Sequence, residues 1–306
     1  MLLSLSIMPT HAIHRRTLLA AAAWPLGGLL QGCSTPLPLG VQPAAGAPEA
    51  AALLRASAEA HGLTAYRQIS DINIAYEGEW RPFINGVQPQ VVDAGYRGRS
   101  QERLMPALGL NAQAYEGASG RKFVAWQRGS ASTPARLDLW FNGQPSAEAA
   151  LQRAAAVVAE SYCLFLLGPL WLMDRATVLQ RAGSERVDGR LCDVLHAWVR
   201  PGLGLSELDR VTLCIDRDNR VTRRMRFTLE GYENTQGAVA ETDRYDFEMR
   251  FGVLWPMRSF ERVLHPIALP AHDWRIAGLD VNRGYGREAL AGPVFTGLAA
   301  ASARPV

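Results

Sequence analysis

Arg186-Val187-Asp188-Gly189-Arg190-Leu191-Cys192-Asp193-Val194-Leu195, then Arg210-Val211-Thr212-Leu213-Cys214-Ile215-Asp216, then Val221 to Leu229, decide the fold. Val211, Leu213 and Ile215 alternate with Arg210, Thr212, Cys214 and Asp216, the period of a strand with one face buried. Val221, Met225, Phe227 and Leu229 alternate in the same way with Thr222, Arg224, Arg226 and Thr228. A two-residue Asp218-Asn219 turn would set Ile215, Leu213 and Val211 against Thr222, Arg224 and Arg226, mixing core with solvent. A three-residue loop, Arg217-Asp218-Asn219, with Asn219 left-handed, pairs Ile215 with Val221 and Val211 with Met225. That register is the expectation. It leaves Arg223 on the apolar face, which predicts that this face opens at one end.

Strand patterns continue on both sides. Upstream lie Ile69 to Tyr76, Val91 to Gly98, Arg121 to Gln127 and Arg136 to Phe141, with a loop holding Pro82, Gly86 and Pro89 after the first. Downstream, Tyr245, Phe247, Met249 and Phe251 alternate with Arg244, Asp246, Glu248 and Arg250. On that reading Asp246 and Glu248 meet Arg224 and Arg226 across a solvated face. Leu254 to Leu264 and Trp274 to Val281 complete the strands.

Two segments are helical. Glu49 to His61 is Ala-rich, with Leu53, Leu54 and Ala58 on one side and Gly62 as its stop. Ser146 to Leu172, N-capped at Ser146, carries the uncharged run Tyr162 to Met173, broken at Gly168-Pro169. A run apolar all round is buried on most sides, which places it as a helix plugging the concave side of a curved sheet. A lid over a ligand or a membrane contact is the alternative.

The N-terminus carries an address. Within 306 residues and a formal charge of +3, residues 1–32 hold Arg15 and Arg16 and no acid. The pair precedes an apolar run to Leu30, shorter than the ~20 residues that span a bilayer. It resembles a twin-arginine signal, and Leu30-Gln31-Gly32-Cys33 resembles the lipobox of bacterial lipoproteins. The resemblance implies cleavage before Cys33, acylation of its thiol and new amine, and anchoring in a membrane facing the periplasm. Ser34 in place of Asp favours the outer membrane. Residues 33–48, rich in Pro, Gly and Ala, form a tether; residues 49–283 form the folded domain; residues 284–306 form a loose Ala/Gly-rich tail.

Composition excludes some function classes. Lys122 is the only lysine among 32 basic residues, and the arginines are spread among 29 acids, so no nucleic-acid surface emerges. His265 and His272 flank a Pro-punctuated loop, without the further ligands that zinc needs; no metal or cofactor is implied. Hydrolase and phosphate-binding motifs are lacking, so any enzyme would be assembled from residues distant in sequence. Three cysteines remain after Cys33: either Cys192 and Cys214 pair on neighbouring strands, or Cys163, Cys192 and Cys214 are buried thiols.

Ala60-His61-Gly62 with Tyr66 after a helix, Val187-Asp188-Gly189-Arg190 before a strand, and Asp209 to Leu213 with an Asp-Asn turn together resemble the superfamily of outer-membrane lipoprotein carriers, LolA and LolB. The resemblance covers about residues 49–283. It implies an α+β fold: a strongly curved antiparallel half-barrel with helices covering a concave side that holds acyl chains. The expected function is binding of an acyl chain or other hydrophobic ligand, in lipid or lipoprotein trafficking and without catalysis. Phe165, Trp171, Arg223, Met225, Phe227 and Phe247 are the expected lining. An envelope interaction protein with a filled core is the alternative; no motif names its protein partner.

Overall fold

The computed structural model describes residues 42–43, 45–130, 133–175 and 177–292. The signal residues Arg15, Arg16, Leu30 and Gly32, the anchor Cys33 and most of the tether lie outside the described residues.

The chain runs through α1 (Pro48–Ala60), α2 (Leu63–Tyr66), β1 (Ile72–Trp80), α3 (Pro82–Val87), α4 (Pro89–Val92), β2 (Arg99–Met105), β3 (Leu110–Gly117), β4 (Gly120–Gln127), β5 (Arg136–Phe141) and β6 (Gln144–Pro145). It continues through α5 (Ala149–Leu167), α6 (Pro169–Met173), β7 (Thr177–Val187), β8 (Arg190–Val199), β9 (Asp209–Asp216), β10 (Thr222–Thr228), β11 (Val239–Arg250), β12 (Val253–His265) and β13 (Leu269–Val281). All strands join one antiparallel sheet, in the order β6-β5-β4-β3-β2-β1-β13-β12-β11-β10-β9-β8-β7. Two meanders, β1–β6 and β7–β13, are therefore sewn together where β1 pairs with β13.

This topology explains the central helix. β6 and β7 are the two outer edges of the sheet, yet they are consecutive strands, so α5 and α6 must carry the chain from one edge to the other. The concave side is the covered route, and residues 154–167 of α5 are buried throughout. Gly168 (φ +53°) breaks the helix before Pro169, where the sequence places the break. Arg244 reaches from β11 to the buried carbonyl of Leu166 (3.1 Å), completing the C-terminal end of α5.

The expected half-barrel is present, with four corrections. The first is the register of β9 and β10. Leu213 pairs with Met225 and Val211 with Phe227, two residues from the expected pairing. Arg220, not Asn219, takes the left-handed conformation (φ +61°), which makes the loop one residue longer, and a bulge at Arg223 adds the second residue. A shift of two preserves the faces, because side chains alternate with period two. Arg223 does not point into the apolar row: its Nε lies 3.3 Å from Asp216, whose neighbours along the face are Cys214 and Thr212.

Second, the end of β11 at Met249, with Phe251 just beyond it, is not core. Residues 239–244 are buried on both faces, whereas Met249 is 61% and Phe251 52% exposed. The partners of Arg224 and Arg226 are accordingly Asp243 (2.5 Å) and Glu241 (2.6 Å), not Asp246 and Glu248. Glu185 and Arg262 extend this network across β7 and β12. Third, Val91 to Gly98 is not a strand. The Pro-rich segment forms α3 and α4, and the unexpected strands β2 and β3 follow. α5 also begins at Ala149, so Ser146 is not its cap. Fourth, part of the expected tail is packed: Ala289 and Leu290 cover Met105, Ala112 and Phe123, and Arg103 lies 4.4 Å over the Tyr285 ring.

Candidate ligand-binding hollow

The two ends of the half-barrel differ. At one end α1 and α2 close the sheet. The His61 Nδ1–H donates to the Leu254 carbonyl (3.1 Å), and its Nε2 accepts the Thr222 N–H (3.1 Å). Burial and nearby Arg244 hold this imidazole down at about 3, so it stays neutral and structural. Gly62 (φ +88°) lets the chain approach the β11–β12 hairpin: a Cβ there would sit 2.2 Å from the Gly252 carbonyl oxygen.

The other end is open. Between α3–α4 and the ends of β11, β12 and β13 lies a hollow of about 500 Å³, within the range of small-ligand sites. Phe83, Ile84, Val87 and Val91 form one wall; Val263, Leu269 and Ala271 of β12 and β13 form the other. Segments 234–238 and 266–267 frame the mouth. Phe83 (63%), Val87 (51%) and Ile267 (61%) are among the most exposed large apolar side chains of the described residues, and all three stand on this rim.

A buried ion pair fixes the α3–α4 wall to the sheet. The sole lysine, Lys122 on β4, donates to Asp93 (2.5 Å) just beyond α4. Arg97 donates to the carbonyls of Val92 (2.9 Å) and Val91 (3.2 Å), and its guanidinium lies 4.2 Å over Tyr115. These contacts satisfy the end of α4, while Ile84 and Val92 pack on Ala271 of β13 beside the hollow.

Polar groups stand behind the apolar wall of the hollow. Trp80 stacks on His272 (4.3 Å), which stacks in turn on Trp274 (4.5 Å), and the His272 Nδ1 lies 3.3 Å from the Tyr162 hydroxyl. Burial, with Arg97 nearby, holds His272 well below the usual histidine range. Glu261 on β12 lines the hollow, and burial pushes its carboxyl up to about 8 against the pull of Arg97. Its cross-strand neighbours are Thr242 and His272.

The residues expected to line a ligand site lie mostly elsewhere. Phe165, Trp171, Met225 and Phe227 are all at most 3% exposed and belong to the central core. Phe165 packs on Phe227 (5.3 Å) and Trp274 (5.2 Å). The Trp171 indole N–H donates to Glu160 (2.9 Å) while Arg175 covers its ring at 3.7 Å. Phe247 is half-buried at the closed end, 5.9 Å from His61 and 5.2 Å from the Arg223 guanidinium. None of the six lines the open hollow. Sequence periodicity misses the hollow's own residues because they come from short, Pro-punctuated and turn segments without a strand or helix repeat. The one available signal is Phe83, Val87 and Ile267, apolar residues in segments that otherwise read as loops.

Cys163, Cys192 and Cys214 are buried free thiols. Among the described residues, no group of three or more His, Cys, Asp or Glu side chains is placed to hold a metal ion.

A strongly curved antiparallel sheet around a central helix, open at one end, defines an α+β half-barrel. Solved structures similar to it in fold include a DUF1329 family protein from Desulfovibrio piger (10% identity, TM-score 0.49, covering 79% of this chain and 97% of that one). A putative outer membrane lipoprotein-sorting protein domain from Vibrio parahaemolyticus is similar at 8% identity and TM-score 0.40, over 76% and 97% of the two chains. A LolA superfamily protein from Nitrosomonas europaea is similar at 15% identity and TM-score 0.37, over 82% and 98%. No protein-family model and no curated protein matches the chain.

Proposed function

We propose that this protein is an envelope lipoprotein that holds an acyl chain or similar amphiphile in the open end of its half-barrel, without catalysis. The observation that carries this reading is the hollow of about 500 Å³, walled by Ile84, Val87, Val91, Val263 and Leu269 and rimmed by exposed Phe83 and Ile267. A large exposed apolar rim around a cavity is costly in water unless something apolar covers or enters it. The signal and the motif ending at Cys33 support export and a lipid anchor facing the periplasm, with the outer membrane as the favoured address.

Native mass spectrometry of the purified, delipidated protein with palmitate, monopalmitoylglycerol and phospholipid tests the binding. A one-to-one adduct with at least one of them is expected, and Val263→Trp, which fills the hollow, abolishes it. No adduct with any of the three would overturn the reading. The anchor is tested separately: Cys33→Ser is expected to move the protein from the membrane to the soluble fraction, and retention in the membrane would count against lipidation.

A further inference from the structure

The apolar hollow carries a few polar groups in its lining. Its rim is apolar and exposed at Phe83, Val87 and Ile267, whereas unsatisfied polar groups lie within. Glu261 is only 8% exposed, and its carboxyl makes no hydrogen bond or ion pair among the described residues. Two further residues of the lining carry buried polar atoms without a hydrogen-bond partner, the Trp80 indole N–H and the Gln88 Oε1. Thr242, directly across from Glu261, has a buried unpaired hydroxyl as well. Buried polar groups are normally paired, and leaving one unpaired costs stability. A ligand group that enters polar end first would give the Glu261 carboxyl a partner.

The charges around the floor narrow that group. Glu261 is the only ionisable side chain in the described lining, and no described lysine or arginine is there. A phosphate or carboxylate head would therefore be desolvated with no cation to meet it. A cationic head is disfavoured from behind, because the buried Arg97 guanidinium already acts on both Glu261 and His272. An uncharged head that both donates and accepts hydrogen bonds fits a protonated carboxyl, an indole N–H and an amide oxygen.

We infer that the hollow selects amphiphiles with an uncharged, hydroxyl-bearing head, of the acylglycerol or long-chain alcohol class, which enter head first and bond to Glu261. The inference rests on the hollow being the binding site proposed above, and it adds the class of ligand and the residue that reads it.

The test is a competition at pH 7 on the purified protein, followed by native mass spectrometry. The probes share a sixteen-carbon chain: 1-monopalmitoylglycerol and hexadecanol, against palmitate, hexadecylamine and a lysophosphatidylglycerol. The neutral heads are expected to bind at least about tenfold more tightly, the effect of one good hydrogen bond against an unpaired charge. Glu261→Leu is expected to weaken monopalmitoylglycerol about tenfold and erase the ranking. Glu261→Gln, which keeps a donor and an acceptor, retains the ranking in part and stands in if the Leu variant does not fold. A charged head that binds as tightly as the neutral ones, or a ranking unchanged in both variants, overturns the inference while the hollow remains a binding site. If none of the five binds, the hollow reading falls and the inference with it.

Discussion

The concave side of this half-barrel is divided into a filled region and an open one, and both are built from the same sheet. Around α5 and α6, Phe165, Trp171, Met225 and Phe227 interlock with Trp255, Trp274 and Leu213, and Glu160 ties up the indole nitrogens of Trp126 and Trp171. At the far end, α3 and α4 are pinned by Lys122 to Asp93 and by Arg97 to the carbonyls of α4, and Ile84 and Val92 pack down on Ala271 of β13. Apolar side chains alone therefore do not mark a ligand site. Where a long helix crosses the concavity, they are consumed by packing; where two short helices cover the sheet only in part, Phe83 and Val87 are left at the edge of a void.

The largest expected effect breaks the filled region. Phe227→Ala removes a ring that is 1% exposed and packs on Phe165, so it should cost about 3–5 kcal/mol in denaturant unfolding. A cost below about 1 kcal/mol would mean that the core is not packed as described.

Next in size are two acids, one in each region. Glu102 accepts from the Gln113 amide (2.6 Å) on the inner face of β2 and β3, and burial pushes it up to about 8 in spite of that bond. Glu261, pushed up to about 8 by the same cause, has no such partner. Both folded values exceed the usual 4.5, so the folded state holds the protons longer. Their contribution is fully present below about 4.5 and is lost as pH rises through about 8, on the order of a few kcal/mol each. The histidines act oppositely: burial lowers His61 to about 3 and His196 to about 4 from 6.5, so stability is lost as pH falls below 6.5 toward those values. Glu102→Gln and Glu261→Gln should each flatten the alkaline limb of a pH–stability curve and leave the acid limb intact. An unchanged alkaline limb in both would show that neither acid is buried in its neutral form.

Gly62→Ala tests the closed end. The backbone there is left-handed, and the added methyl would lie 2.2 Å from the Gly252 carbonyl oxygen. Together these predict a loss of about 1–3 kcal/mol, read as a lower denaturation midpoint. A neutral result would mean that α1 and α2 do not seat on the β11–β12 hairpin.

How much of this is legible in the sequence follows the same division. β9, β10 and α5 are legible because their burial is apolar and their periods are clean; even the misplaced register keeps the correct faces, since the Arg220 loop and the Arg223 bulge each add one residue. β2 and β3 are not, because their inner face is polar: Glu102, Asn111 and Gln113 are all buried there. β11 misleads for the complementary reason. Its Met249 and the following Phe251 run past the core into solvent, and Arg244 goes inside because the end of α5 needs a donor. The hollow is barely legible, through Phe83, Val87 and Ile267 alone, as its lining comes from segments near residues 80–91, 229–240 and 261–271 that the β1–β13, β11–β12 and β12–β13 pairings bring together.

The smallest expected effect on stability falls at the rim of the open region. Phe83 is 63% exposed, so Phe83→Ser removes little buried surface and should change unfolding free energy by within about 0.5 kcal/mol. Its effect on binding should be far larger. An acyl chain whose head sits at Glu261 must leave between Phe83, Val87 and Ile267, and each ring or branch there covers apolar area that the chain would otherwise expose to water. Phe83→Ser should therefore weaken sixteen-carbon amphiphiles several-fold while leaving the eight-carbon member of the same head class nearly unaffected, because a short chain ends before the rim. Measured side by side with Phe227→Ala, this variant separates the two regions. One change costs stability, and the other costs affinity in proportion to chain length. Equal losses for short and long chains would place the ligand's exit somewhere other than this rim.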